Sequence, residues 1–331
     1  MKATPKTSLE EAWKNWEDCL NGNDTNSIFQ QITTMIWDTG IFRIFLAARQ
    51  SELKKNPQAP ELNDALHSFI DRSYFQSQSV IIRRITDEPY PLTGIKGVYS
   101  LHALIKDIKS YRNELTRKTF FELKSMPYDY DELRRREEEY CLSQTPGKGF
   151  FIPPELQWHP IEEAHCTFDR LAGVTAHNRN PSDQVDSNVF CRLRDRLSVC
   201  TEISSYVDKF IAHSSTPDSR FIQNYNETTI TLNHIWEAHR AIFEVANFLS
   251  STLFDKEHMA LAIEIPSFYM FWDKPLIEHG ELDLIRNTFE NYQKETETWR
   301  TEGIDDIWNA LRENNQWGVL PYAPTWNKIS S

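Results

Sequence analysis

Apolar side chains recur at three- and four-residue spacing along most of this chain, which is the period of an α-helix. The stripe Leu101, Leu104, Ile108, Tyr111, Leu115 and the longer stripe Val189, Leu193, Leu197, Cys200, Ile203, Ser204, Val207, Ile211 each line one helical face, whereas a strand would alternate every second residue. Composition points the same way. Only 10 of 331 residues are Gly and 16 are Pro, so turns are few and elements long. Hydrophobic residues make up 40% of the chain, enough for a core, and no apolar run reaches the length a membrane span requires. The sequence predicts an all-α protein.

Stop and start signals divide the chain into helices. Ser8-Leu9-Glu10-Glu11 is a capping box that opens a helix ending near Leu20. Helices are then expected over Ser27 to Lys55, Asn63 to Asp87, Val98 to Leu123, Asp129 to Tyr140 and Ile161 to Ala176. Others follow over Asp186 to Ala212, Thr229 to Leu253, Glu281 to Arg300 and Ile304 to Asn314. The one over Asn63 to Asp87 is apolar nearly all round and is expected at the centre. Ser143 to Pro154, with Pro146-Gly147-Lys148-Gly149, reads as a loop, and Ser214 to Ser219 as a turn. Residues 1–254 form the main helical domain in this reading, and 255–331 an acidic helical extension. Between 255 and 313 lie fourteen acidic and six basic side chains, and Trp272, Trp299, Trp308, Trp317 and Trp326 are five of the ten tryptophans. This extension reads as a small appendage or a surface for a protein partner.

Lys plus Arg number 36 against 48 Asp plus Glu, a net charge of −12, which rules out a general polyanion-binding coat. Cations are nevertheless gathered locally. On a continuous helix Lys106, Lys109, Arg112, Arg117 and Lys124 fall within an arc of roughly 140° at about 100° per residue, a solvated face or a phosphate-contacting one. Arg196, and less squarely Arg192, lie near the inward stripe of their helix, and Arg84 lies on an apolar line, where a guanidinium needs a carboxylate or a phosphate. Phosphate-loop, dinucleotide-binding, serine-hydrolase, zincin and calcium-loop motifs are all missing. His159, Glu162, His165, Cys166 and His177 could supply metal ligands, but their spacing follows no metal-site pattern, and no metal or cofactor is expected. His239 falls on an apolar stripe as a core histidine. Five cysteines without a CxxC pair, and a start at Met1 with no apolar leader, give the expectation of free thiols in a cytoplasmic protein.

The segment Tyr206-Val207-Asp208-Lys209-Phe210-Ile211-Ala212-His213-Ser214-Ser215 closes a long helix with Asp-Lys, an apolar pair and Ala-His. Here the chain resembles the HEPN superfamily of all-helical domains, in particular its abortive-infection AbiU-like branch. The resemblance implies a HEPN-like helical bundle that pairs as a homodimer. It also implies a role in toxin or antiviral defence systems of prokaryotes, with metal-independent cleavage of RNA. In the family signature an arginine precedes a histidine by four to six residues; the histidine moves a proton while the arginine holds the phosphate. In this chain the histidine is His213, and Tyr206, Val207 and Asp208 stand where the arginine is usual. Lys209, four residues before His213, offers a point charge without the bidentate fork, while Arg170 or Arg196 could reach in from other positions. Lys106, Lys109, Arg112, Arg117 and Arg192 are then the RNA-binding candidates. The alternative is a non-catalytic interaction module, with Asp208 to His213 structural and the acidic tail engaging a partner.

Overall fold

A computed structural model of the chain describes residues 7–55, 64–88, 90–144, 151–212, 230–258 and 282–314. These residues form an all-α bundle; the only extended pairing among them is the isolated antiparallel bridge between Thr116 and Gln184. The helices are α1 (Leu9–Asn21), α2 (Ile28–Lys55), α3 (Asp64–Ile85), α4 (Leu101–Ser110), α5 (Arg117–Leu123), α6 (Asp131–Ser143), α7 (His159–Ala172), α8 (Ser187–Leu197), α9 (Thr201–Tyr206), α10 (Leu232–Phe254) and α11 (Leu282–Asn314). No helix among the described residues is long and apolar enough to cross a membrane.

Several ends are set by side chains that satisfy otherwise orphaned backbone N–H groups. Ser8 accepts from the Glu11 amide, Ser100 from Ala103 and Asp186 from Asn188. Thr116 with Thr119, and Thr231 with His234, form reciprocal capping boxes. At the other end, Gly173 closes α7 in the left-handed region at φ 72°, which glycine enters without a Cβ penalty.

The central element is α10 rather than α3. From Ala241 to Ser250 every residue of α10 is buried, and α1, α2, α3, α4, α8 and α11 all pack against it. Each fully buried Ile242, Phe243 or Phe248 contributes about 1.5–3 kcal/mol by leaving water. By contrast α3 buries Tyr74, Ile82 and Ile85 on one side and leaves Phe69 56% exposed, so its apolar circumference is only half used.

Three further differences from the sequence expectation have local causes. The expected helix Val98 to Leu123 divides at 111–116, because Thr116 restarts the chain as α5 while the Arg117 amide bonds to Asp183 O. The expected helix Asp186 to Ala212 runs through α8, a 3-10 turn at Ser198–Cys200, α9 and a π-helical turn at Val207–Ile211. The two C-terminal helices are a single one, α11, which is no free appendage. Its Phe289, Tyr292, Trp299, Ile307 and Trp308 are buried in the common core, so Trp299 and Trp308 are not a partner surface. Two glycines let α11 come close: a Cβ on Gly40 of α2 would meet Phe289 at 2.7 Å, and one on Gly303 would meet Glu244 Cγ at 2.1 Å. Trp272, Trp317, Trp326, the Pro146–Gly149 stretch and the Ser214–Ser219 turn lie outside the described residues.

Candidate functional site

The segment carrying the family resemblance departs from α-helical geometry. At Val207–Ile211 the turn widens to π, and the Ala212 amide donates to Val207 O at 2.7 Å. Such wide turns inside helices often accompany functional positions, because they aim side chains away from the regular register. Val207 is buried and anchors the turn, while Tyr206 and Phe210 stack at 4.9 Å. Asp208 is drawn to α3: Arg83 Nε donates to its Oδ1 at 2.6 Å, and Arg83 Nη1 reaches Asp87 Oδ2 at 3.2 Å. Partial burial acts to lower the Arg83 pKa, but the Asp208 and Asp87 carboxylates outweigh it and hold the guanidinium above its ordinary value. Thr86 and Ser204 hydroxyls, 3.4 Å apart, tie the end of α3 to α9 just before this turn. Lys209 is half-buried on the π-helical turn, and His213 lies outside the described residues.

The other candidate cations do not gather with this turn. Arg196 forms an ion pair with buried Glu244, which also accepts from Arg240 at 2.8 Å. Arg170 is exposed, with its guanidinium 5.1 Å from the Trp308 ring centroid on α11. Arg84 points across the bundle end to Asn26 Oδ1 at 2.8 Å. These three arginines have their partners in three separate places.

The basic arc also dissolves, because the helix that would display it is broken. Lys106 and Lys109 are exposed on α4, but Arg112 Nε is committed to Val185 O at 2.6 Å and Lys124 to the Asp255 carboxylate at 2.7 Å. Arg117 is 0% exposed, which withdraws it as an RNA contact. Arg192 is half-buried on α8 and forms no ion pair among the described residues.

Arg117 instead centres a buried charge network between α5, α7 and the loop before α8. Its guanidinium meets Asp169 at 2.8 Å and Asp183 at 2.9 Å and donates to His165 O at 3.2 Å. Arg179 bonds both Asp169 and Glu162, and Tyr130 donates to Glu162. Burial alone would raise the Glu162 carboxyl, but these hydrogen bonds prevail and hold it down to about 2. Burial pushes His165 below its usual range, and its Nε2 pairs with Tyr128 O at 2.9 Å. The carboxylate and thiol that could have served a metal, Glu162 and Cys166, surround a guanidinium instead. Among the described residues no group of three or more His, Cys, Asp or Glu side chains is arranged to hold a metal ion.

The junction of α3 with the π-helical turn therefore brings a guanidinium and a lysine to the residues leading into His213. Sequence reasoning missed Arg83, reading the neighbouring Arg84 as the inward one; two consecutive arginines ending a helix were the available signal. Comparison with known proteins finds no matching family model, no matching curated protein and no matching solved structure.

Proposed function

We propose that this chain is a HEPN-like protein of prokaryotic defence or toxin type, paired as a homodimer, that cleaves RNA at the α3–π-turn junction. His213 moves the proton at a ribose 2′-hydroxyl, whose oxygen attacks phosphorus. The bond to the 5′-oxygen breaks, leaving a 2′,3′-cyclic phosphate and a 5′-hydroxyl. Lys209 and Arg83 are the cations for the phosphate. The observation that supports this reading is the Arg83–Asp208 pair, which delivers from another helix the guanidinium that the local sequence lacks. Incubation of the purified chain and of His213→Ala with total cellular RNA in chelator, with the fragment ends read, tests it. Cyclic-phosphate ends from the wild type alone are expected; no cleavage by either protein would overturn the reading.

One observation favours the second reading, a non-catalytic interaction module. Arg83 is shared between two carboxylates, so its charge is already balanced without a phosphate. In that case Asp208 and Arg83 are a structural tie between α3 and the π-helical turn.

A further inference from the structure

The two carboxylates that hold Arg83 are not equivalent. Asp87 follows four residues after Arg83 in the same run of chain, its side chain is 15% exposed, and its backbone oxygen accepts from Ser100 Oγ at 2.6 Å. Asp208 belongs to another element, the π-helical turn, and its side chain is 45% exposed. They also take different parts of the guanidinium. Nη1 donates to Asp87, Nε donates to Asp208 Oδ1, and Nη2 makes no hydrogen bond among the described residues. Nε and Nη2 form an edge through which an arginine grips a carboxylate or a phosphate with two parallel bonds. Arg179 shows the complete grip on Asp169, with Nε on Oδ1 at 3.1 Å and Nη2 on Oδ2 at 2.8 Å. That carboxylate is 2% exposed, and the pair is closed to any other anion. On Arg83 the same edge is half filled, by a carboxylate that is nearly half exposed.

We infer that Asp208 stands on Arg83 in the place of a substrate phosphate, and that an RNA phosphodiester displaces it. The inference rests on the RNA reading above and deepens it, because it gives the two carboxylates separate work. Asp87, carried on the end of α3, keeps Nη1 and fixes the direction of the fork. Asp208 gives up a single bond in an ion pair open to solvent, which contributes little net stability, and its carboxylate is rehydrated. The phosphodiester gains two charge-assisted bonds on the Nε–Nη2 edge. One monoanion replaces another on the guanidinium, so the charge of Arg83 stays answered throughout. Until then Asp87 and Asp208 balance Arg83 and Lys209, and the resting junction has no net charge with which to draw an anion. Asp208 is in this way an internal competitor of the substrate.

Fluorescence anisotropy of the full chain with a mixed-sequence oligoribonucleotide carrying 2′-O-methyl groups tests it, because such a strand keeps its phosphates and lacks the attacking hydroxyl. Asp208→Asn is expected to bind this strand about two- to fivefold more tightly than the wild type, the change that loss of an exposed ion pair allows. Arg83→Gln should weaken binding about tenfold or more, and in that background Asp208→Asn should have no effect. Arg83→Lys keeps the charge without the fork and should lose the response to Asp208→Asn as well, which supplies the same comparison if Arg83→Gln fails to fold. Unaltered or weaker binding by Asp208→Asn, a gain that persists without Arg83, or no binding by any of the proteins would each overturn the inference. The measurement needs no cleavage. The expected pattern in a chain that leaves ordinary RNA intact would keep the phosphate position and remove the nuclease reading. Cleavage of ordinary RNA by a chain whose binding ignores Asp208→Asn would do the reverse.

Discussion

Two regions of this bundle bury polar groups, and they do so by opposite means. At the α5–α7 end the groups are charged, and each charge is answered: Arg117 by Asp169 and Asp183, Arg179 by Asp169 and Glu162. At the centre, where α2, α3, α10 and α11 meet, the groups are mostly neutral and poorly matched. Thr39 reaches Tyr74 at 3.0 Å and His239 at 3.5 Å, but His239 Nε2 has no hydrogen-bond partner. The difference teaches that this fold places its strict pairing where full charges are buried, and tolerates loose ends where desolvation costs only about 1–3 kcal/mol per group.

Removing the centre of the charged network should have the largest effect. Arg117→Met leaves Asp169 and Asp183 buried without their cation, and a loss of about 3–5 kcal/mol is expected in urea unfolding. A loss under about 1 kcal/mol would end the contrast between the two regions.

Acid should act through the buried histidines, and most strongly through His239 at the centre. Burial, aided by the Arg43 charge, lowers the His239 pKa to about 3, while the unfolded chain takes up the same proton near 6.5. The folded state thus excludes a proton that the unfolded state binds. The stabilisation is complete above about pH 6.5 and is lost as pH falls towards 3, at about 1.4 kcal/mol per unit. Between pH 7 and 4.5 the wild type should lose about 2–3 kcal/mol from this group, and His239→Leu should show a flatter profile. Glu162, held down to about 2, keeps its contribution over that interval and loses it only in stronger acid, while the lowered pKa of His165 gives the charged end an acid loss of its own. Parallel profiles for the two proteins would assign the acid loss elsewhere.

The smallest effect is expected at Tyr292. Its buried hydroxyl has at most a poorly aligned contact with Thr39, so Tyr292→Phe should change stability by no more than about 1 kcal/mol in either direction. A clear destabilisation would mean that the central polar groups form a working network after all.

Much of the fold was legible because helical period and capping are local. The bounds of α1 and α2 follow from Ser8, the Asn21–Gly22 stop and the prolines after Lys55, and the stripes from Leu101 to Leu115 and from Val189 to Val207 are buried but for half-buried Ser204. What escaped depends on distant partners. Nothing apolar changes phase at 111–116, and the break is made by residues some 70 positions later, where Val185 O takes Arg112 and Asp183 takes Arg117. The Thr116/Thr119 box was the one local sign. Gly303 reads in sequence as a helix weakness, yet α11 continues through it because a bare backbone is what lets Glu244 fit. In the candidate site, Asp208 and Lys209 were visible from sequence, but their partner was not. Which of Arg83 and Arg84 faces the π-helical turn depends on how α3 is rotated in the bundle.

The docking of α11 also sets a clock for the growing chain. Arg43 on α2 finds its partner, Glu295, 252 residues later, and the Phe289 and Tyr292 side chains that cover Gly40 arrive with it. At a synthesis rate of about 5–20 residues per second, α2 waits roughly 10–50 s before its outer side is covered. During that interval the nascent bundle presents an uncovered apolar groove, which makes the docking of α11 the step that turns a sticky intermediate into a closed core.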